Sequence, residues 1–160
     1  MCFGCYFSFV AFLLVSAVAA CAPSAAGPPY LTDTVAVLEG SARIVDGDTL
    51  DIGGARVRMK GIAAPERGEA GGPEAAAALS RFVGDQSVRC LLAGERTHDR
   101  VVGYCFAAEL DLGRALVAGG FALACPRFSD RYVTDEAAPR RALIGVWARG
   151  YTLPAYCGAP

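Results

Sequence analysis

The chain has 160 residues, enough for one globular domain, of which 54% are hydrophobic and 19% charged, and its formal net charge is −1. This balance excludes an intrinsically disordered chain, which would carry few apolar residues and much charge. It also argues against a domain that holds nucleic acid by bulk charge alone, since such domains are strongly basic. No charged residue occurs before Asp33, so all the charge sits in the remainder.

Residues 1–20 read MCFGCYFSFVAFLLVSAVAA. The apolar part has the length of a signal-peptide core and ends in small residues. Val18-Ala19-Ala20-Cys21 resembles a bacterial lipobox, which implies lipidation of Cys21 as the mature N-terminus, although no Lys or Arg precedes the apolar run. The alternative is an uncleaved anchor, because Cys2–Ala22 is close to the length that spans a bilayer. Both readings place the rest of the chain outside the cytoplasm: on the envelope, as a periplasmic or outer-membrane lipoprotein held to the membrane, or secreted. Residues 21–34 are rich in Pro, Ala and Gly and read as a tether, and the domain runs over 35–160.

Seven cysteines are present. Cleavage before Cys21 removes Cys2 and Cys5, and lipidation uses Cys21, leaving Cys90, Cys105, Cys125 and Cys157. Four cysteines in an oxidising compartment predict two disulfides, with three pairings open. These four form no CxxC pair and the chain has a single histidine, so no zinc site is expected.

In the domain, Ala42–Val45 is a short strand signal stopped by Asp46-Gly47, a hairpin-turn dipeptide. Thr49–Ile52 resumes with Leu50 and Ile52 on one face, and Gly53-Gly54 turns again. Ala55–Ile62 then alternates, Val57 and Met59 opposite Arg56, Arg58 and Lys60. Pro65 ends this strand, residues 68–72 form a Gly-rich loop, Pro73 suits a first helical position, and Glu74–Val83 is an alanine-rich helix. Two more strands are expected over Ser87–Leu92 and Val101–Ala107, joined by a polar loop containing Glu95–Arg100. Leu112–Ala118 reads as a helix stopped by Gly119-Gly120, and Thr134 caps a last helix reaching about Trp147. Five short strands with a helix between the third and fourth predict an α+β domain: a five-stranded OB-fold β-barrel with three α-helices. Such barrels commonly bind oligonucleotides or oligosaccharides, and the fold alone does not choose.

Three clusters carry candidate chemistry: Asp46-Gly47-Asp48-Thr49, Arg58 through Glu66, and Arg96-Thr97-His98-Asp99-Arg100. Each alone reads as a turn, a solvated strand face or a polar hairpin. In this order and spacing, GSARIVDGDTLDIGGARVRMKGIAAPE resembles the staphylococcal (thermonuclease) nuclease family, and ERTHDRVVGYCFA, DLGRALVAGGFALA and GVW resemble its later hairpin, second helix and last-helix tryptophan. The resemblance covers roughly Gly40–Trp147. It implies an exported, metal-dependent nuclease that hydrolyses phosphodiester bonds of DNA or RNA. Asp48 matches a calcium ligand and Asp46 its acidic neighbour. Arg58 matches the phosphate-binding arginine, and Glu66 the glutamate that acts as general base or orients the attacking water. Arg100 matches the second arginine, with Arg96 as the alternative because the hairpin looks shorter here. His98 is read as a loop residue. Tyr104, Phe128 and Tyr132 are candidates for base stacking.

One departure stands out. The family has a metal-ligating Asp where this chain has Ala63, and Ala64 replaces a threonine that contributes its backbone carbonyl. Calcium takes about six to eight oxygens and its affinity follows ligand charge, so losing one carboxylate weakens the Ca²⁺ site. The chemistry itself is coherent: a cation and two guanidiniums stabilise charge on a phosphoryl oxygen, and a carboxylate takes the proton of the attacking water. The second reading is a catalytically impaired OB-fold module that binds nucleic acid or a protein partner at the envelope.

Overall fold

The computed structural model describes residues 35–158. The signal or anchor over 1–20 and the whole 21–34 tether, with the lipidation site Cys21, lie outside the described residues. Among the described residues no helix is long and apolar enough to cross a membrane.

The fold is α+β. Its strands are β1 (Val37–Gly40), β2 (Ala42–Ile44), β3 (Thr49–Ile52), β4 (Ala55–Met59), β5 (Ile62–Ala63), β6 (Val88–Thr97), β7 (Arg100–Ala107), β8 (Leu110–Asp111) and β9 (Leu123–Ala124). Its helices are α1 (Gly72–Val83), α2 (Leu112–Ala118) and α3 (Ala137–Arg141). A seven-stranded mixed sheet runs β1-β6-β7-β4-β3-β2, with β8 on β7, and β5 pairs with β9 separately. All pairings are antiparallel except β4 with β7. The two ends of the path, β1 and β2, are consecutive in the chain with Ser41 between them. Gly40 at the end of β1 also lies against Ile52 of β3. The sheet therefore curls until one bent segment serves both of its ends, without a ladder between β1 and β2.

The meander β2-β3-β4 follows the expected turns and alternation: Leu50, Ile52, Val57 and Met59 are buried, while Arg56 is exposed. They meet Ala75, Ala78 and Leu79 of α1 and Leu112 and Leu116 of α2 in one core. Gly47 sits where this core closes. A Cβ there would lie 2.6 Å from the Cβ atoms of both Ala64 and Ala75, so the Asp46-Gly47 turn can rest on α1 only without a side chain. Asp111 caps α2 by accepting from the Arg114 N–H (3.1 Å).

The structure corrects several expectations. Among the described residues nine strands replace five, because β1, β5, β8 and β9 are too short or too irregular to show a period. The expected third strand breaks after Met59 at a turn through Gly61, where φ is 78°. The polar loop shrinks to the two-residue turn His98-Asp99, as β6 runs to Thr97 and β7 starts at Arg100. The last helix is only Ala137–Arg141, after a 3-10 turn over Val133–Glu136, and Thr134 makes no side-chain cap. The chain leaves the helical path because Leu143 and Gly145 have φ of 50° and 60°. This brings Gly145 onto the backbone of Gly120, and Val146, buried, donates to the Gly120 carbonyl (2.9 Å). Packing against the end of α2 wins over helix propensity.

Among the described residues two disulfides form, as expected of an exported protein: Cys90–Cys105 between paired residues of β6 and β7, and Cys125–Cys157. Cys90–Cys105 closes 15 residues of separation. We expect Cys90→Ala with Cys105→Ala to lower unfolding stability by about 2–3 kcal/mol in denaturant melts. An unchanged midpoint would mean the β6-β7 hairpin is already as constrained in the unfolded chain without the bond.

Candidate functional site

The Asp46–Thr49 turn builds the first half of the site. Asp46 turns its carboxylate back onto its own backbone, where Oδ1 accepts from the Asp48 N–H (3.0 Å). Asp48 is thereby directed inward and is only 5% exposed. Its Oδ1 accepts from the Thr49 hydroxyl (3.1 Å) and its Oδ2 from the Ala64 N–H (2.9 Å). The Arg58 guanidinium forms an ion pair with Oδ2 through Nη1 and donates to the Ile62 carbonyl through Nη2 (3.3 Å). Burial pushes the Asp48 carboxyl up to about 6, while Arg58 and the Ala64 N–H pull it down and Asp46 adds to the rise.

The second half follows from strand register. Arg58 of β4 is the direct partner of Val102 on the parallel strand β7. Arg100 lies two residues before Val102 and so shares its face. The Lys60 N–H donates to the Gly103 carbonyl (2.9 Å), which carries the same edge on past β4. Beyond β5, the chain turns through Pro65 to Glu66 and is held from both sides. Arg67 donates to the carbonyls of Val45 and Ile44, and the Glu69 N–H donates to the Glu66 carbonyl (2.8 Å). Gly72 at the start of α1 presses on the same carbonyl: a Cβ there would lie 1.9 Å from the Glu66 oxygen.

These elements enclose a cleft of about 570 Å³. Arg58, Lys60, Glu66, Glu95, Arg96 and Arg100 supply its charged lining, with Phe128 and Tyr156 as aromatic surface. Arg58, Glu66 and Arg100, singled out in the sequence, are thus brought together from three separate elements. Both arginine alternatives reach the cleft; Arg100 is half-buried and Arg96 exposed. Lys60 is ion-paired with Glu95, whereas Arg96 and Arg100 form no ion pair with another described residue. His98 is in the turn at the cleft's edge, in a left-handed conformation (φ 56°).

The stacking candidates divide. Tyr132 is 1% exposed and donates to Asp111 (3.0 Å), so it belongs to the core. Tyr104 is half-buried, with the Arg131 guanidinium 5.0 Å from its ring centre and its hydroxyl on Ser129 (3.0 Å). Phe128 alone of the three lines the cleft and is 47% exposed.

The oxygens expected to hold calcium do not present a calcium site. Both Asp48 oxygens are engaged by protein donors and an arginine, and Asp46 Oδ1 is taken by a backbone N–H. The Ala64 carbonyl accepts from the Tyr151 hydroxyl (3.2 Å), and Ala63 offers only a buried methyl. Among the described residues no group of three or more His, Cys, Asp or Glu side chains is placed to hold a metal. A divalent ion in this pocket would have to displace the Arg58 guanidinium from a buried carboxylate. Tyr151 and Arg67 are the residues that sequence reading missed, since a tyrosine and an arginine so far from their partners carry no motif.

The raised Asp48 value gives a pH dependence with a defined sign. The folded-state value of about 6 exceeds the ordinary 3.8. The proton on Asp48 therefore stabilises the fold below about pH 4, and this contribution is lost as pH rises through about 6. We expect the stability of the native chain relative to Asp48→Asn to fall by up to roughly 3 kcal/mol between about pH 4 and 6.5. Denaturant melts of both proteins across that range read it directly; a difference rising with pH would mean that Arg58, not burial, dominates the carboxyl.

Comparison with known proteins places one relative beside this geometry. The chain is similar to the succinoglycan biosynthesis protein ExoI of Rhizobium meliloti (strain 1021), 33% identical over an alignment of 123 positions, with 68% of this chain and 63% of that protein covered. It thus spans less than two thirds of that relative's length. No protein-family profile matches the chain.

Proposed function

We propose that the domain is an exported phosphodiesterase of the staphylococcal nuclease type, built on an OB-type barrel, which binds DNA or RNA in the cleft and cleaves its backbone. The observation that carries this reading is the convergence of Arg58, Glu66 and Arg100 on one cleft from β4, the loop after β5, and β7. The curled sheet, with β1 and β2 joined through Ser41, supports the barrel topology.

In this reading Arg100, which has no ion pair with another described residue, binds phosphate oxygens through the two parallel hydrogen bonds a planar guanidinium can donate, and Arg58 adds positive charge and the N–H groups not taken by Asp48 and Ile62. As water attacks phosphorus, negative charge grows on those oxygens and the fixed cations stabilise it; the ester P–O bond opposite the water then breaks, and the leaving sugar oxygen takes a proton from solvent. Glu66, exposed at the cleft, accepts the proton of the attacking water. Gly72 and Arg67 hold the Glu66 backbone in place. No step is assigned to calcium, because the donor oxygens around Ala63 are already engaged. Export with a lipid on Cys21 completes the proposal and would keep the domain at the envelope.

The Ala63 methyl and the fully engaged Asp48 favour a second reading, in which the same cleft binds nucleic acid or a protein partner without cleaving. The two separate in one assay. The oxidised protein is incubated with single-stranded DNA and with RNA, in calcium and in chelator, beside Glu66→Gln and Arg58→Ala, with succinoglycan as a control ligand. We expect cleavage to fall at least about a hundredfold in either variant, the order seen when a general base or an oxyanion donor is removed. Cleavage that persists in both variants would overturn the assigned roles. Binding without cleavage, from protein that melts cooperatively, would establish the second reading.

The Glu66 backbone is itself testable. We expect Gly72→Ala to reduce cleavage about tenfold or more, because a 1 Å displacement of a positioned group has effects of that size or larger. Circular dichroism should show α1 retained; full activity would mean the loop yields without moving the carboxylate.

A further inference from the structure

The C-terminal segment folds back onto the cleft. The Tyr151 N–H donates to the Val146 carbonyl (3.1 Å), and its hydroxyl donates to the Ala64 carbonyl (3.2 Å). The 3-10 turn Ala155–Cys157 then delivers Cys157, wholly buried, to Cys125. Cys125 is itself fixed, its N–H donating to the Gly61 carbonyl (2.8 Å) and its carbonyl accepting from the Phe128 N–H (3.1 Å). Tyr156, adjacent to the disulfide, is 52% exposed and lines the cleft, as does Phe128.

An aromatic ring held half in water on a segment tied down at two points contributes little to the core. In one cleft with Arg96 and Arg100, which form no ion pair with another described residue, it has the composition of a single-stranded nucleic-acid groove, in which cations follow the backbone and rings stack on bases. Stacking needs a ring of defined position, and the disulfide supplies it by anchoring the residue next to Tyr156. We propose that Tyr156 is a base-stacking residue of the cleft, held in place by the Cys125–Cys157 bond and the Tyr151 hydroxyl. Its ligand is the base that neighbours the phosphate on the arginines. This rests on the reading of the cleft as a phosphodiester site.

The test uses the oxidised protein carrying Glu66→Gln, so that the probes stay intact. Fluorescence anisotropy compares labelled oligothymidine with an abasic phosphodiester chain of equal length. Tyr156→Ala is expected to weaken oligothymidine binding about tenfold and to leave the abasic chain unchanged, with Tyr156→Phe and Tyr156→Trp restoring affinity. Reducing the protein, or Cys157→Ser, is expected to give the same loss, with no further loss when combined with Tyr156→Ala. No change on oligothymidine, or equal loss on both probes, overturns the stacking role while leaving the phosphodiester site standing. Failure of the parent protein to bind either probe overturns the cleft reading itself. Thermal melts accompany each variant, and if Cys157→Ser unfolds, the Tyr156 series decides alone.

Discussion

A carboxylate taken out of water is tolerable only with partners, and Asp48 has three: the Thr49 hydroxyl, the Ala64 N–H and the Arg58 guanidinium. These partners come from the start of β3, from β4 and from the chain just after β5, so a single buried charge ties the Asp-Gly turn to the two strand ends that carry the cleft. Removing one partner of such a pair typically destabilises by about 3–5 kcal/mol, because the other is left charged in the interior. The position of Arg58 is therefore set by the fold before any ligand arrives.

The same pairing gives the departure at Ala63 a physical meaning. Where a second carboxylate would attract a divalent ion, this chain has a methyl group, and the remaining carboxylate is neutralised by a side chain that cannot diffuse away. The electrostatic balance of the pocket is internal. Tyr151 completes it from the far end of the sequence by occupying the Ala64 carbonyl. The pocket's counter-charge is thus covalently part of the chain, so among external ions the proton is the one that changes it, through Asp48 itself.

Much of the meander was legible in sequence. Asp46-Gly47 and Gly53-Gly54 mark real turns, and the alternation around Val57 and Met59 separates the core face from the arginine face. Helices α1 and α2 follow from Pro73 and the paired glycines after α2, whereas the Asp111 cap shows only in the structure. The missed parts are those whose stability is not local. β1 has no periodic signal and exists because β6 offers an edge. The last helix ends early because Gly120 receives the chain near Gly145. In the site, Arg58, Glu66 and Arg100 were found through resemblance and not spacing. The Tyr151–Ala64 bond spans 87 positions and leaves no trace in any short window.

The bend at Ser41 has a consequence for how the sheet avoids unwanted association. An uncovered strand edge is a template for pairing with another chain. Here the segment Val37–Ile44 shields β6 with its first half and β3 with its second. Loss of this one stretch would strip both flanks at once and leave two open templates on the same molecule. Two sticky edges per molecule allow chains to add in series, so a truncation trimmed only a few residues too far would favour polymer over monomer.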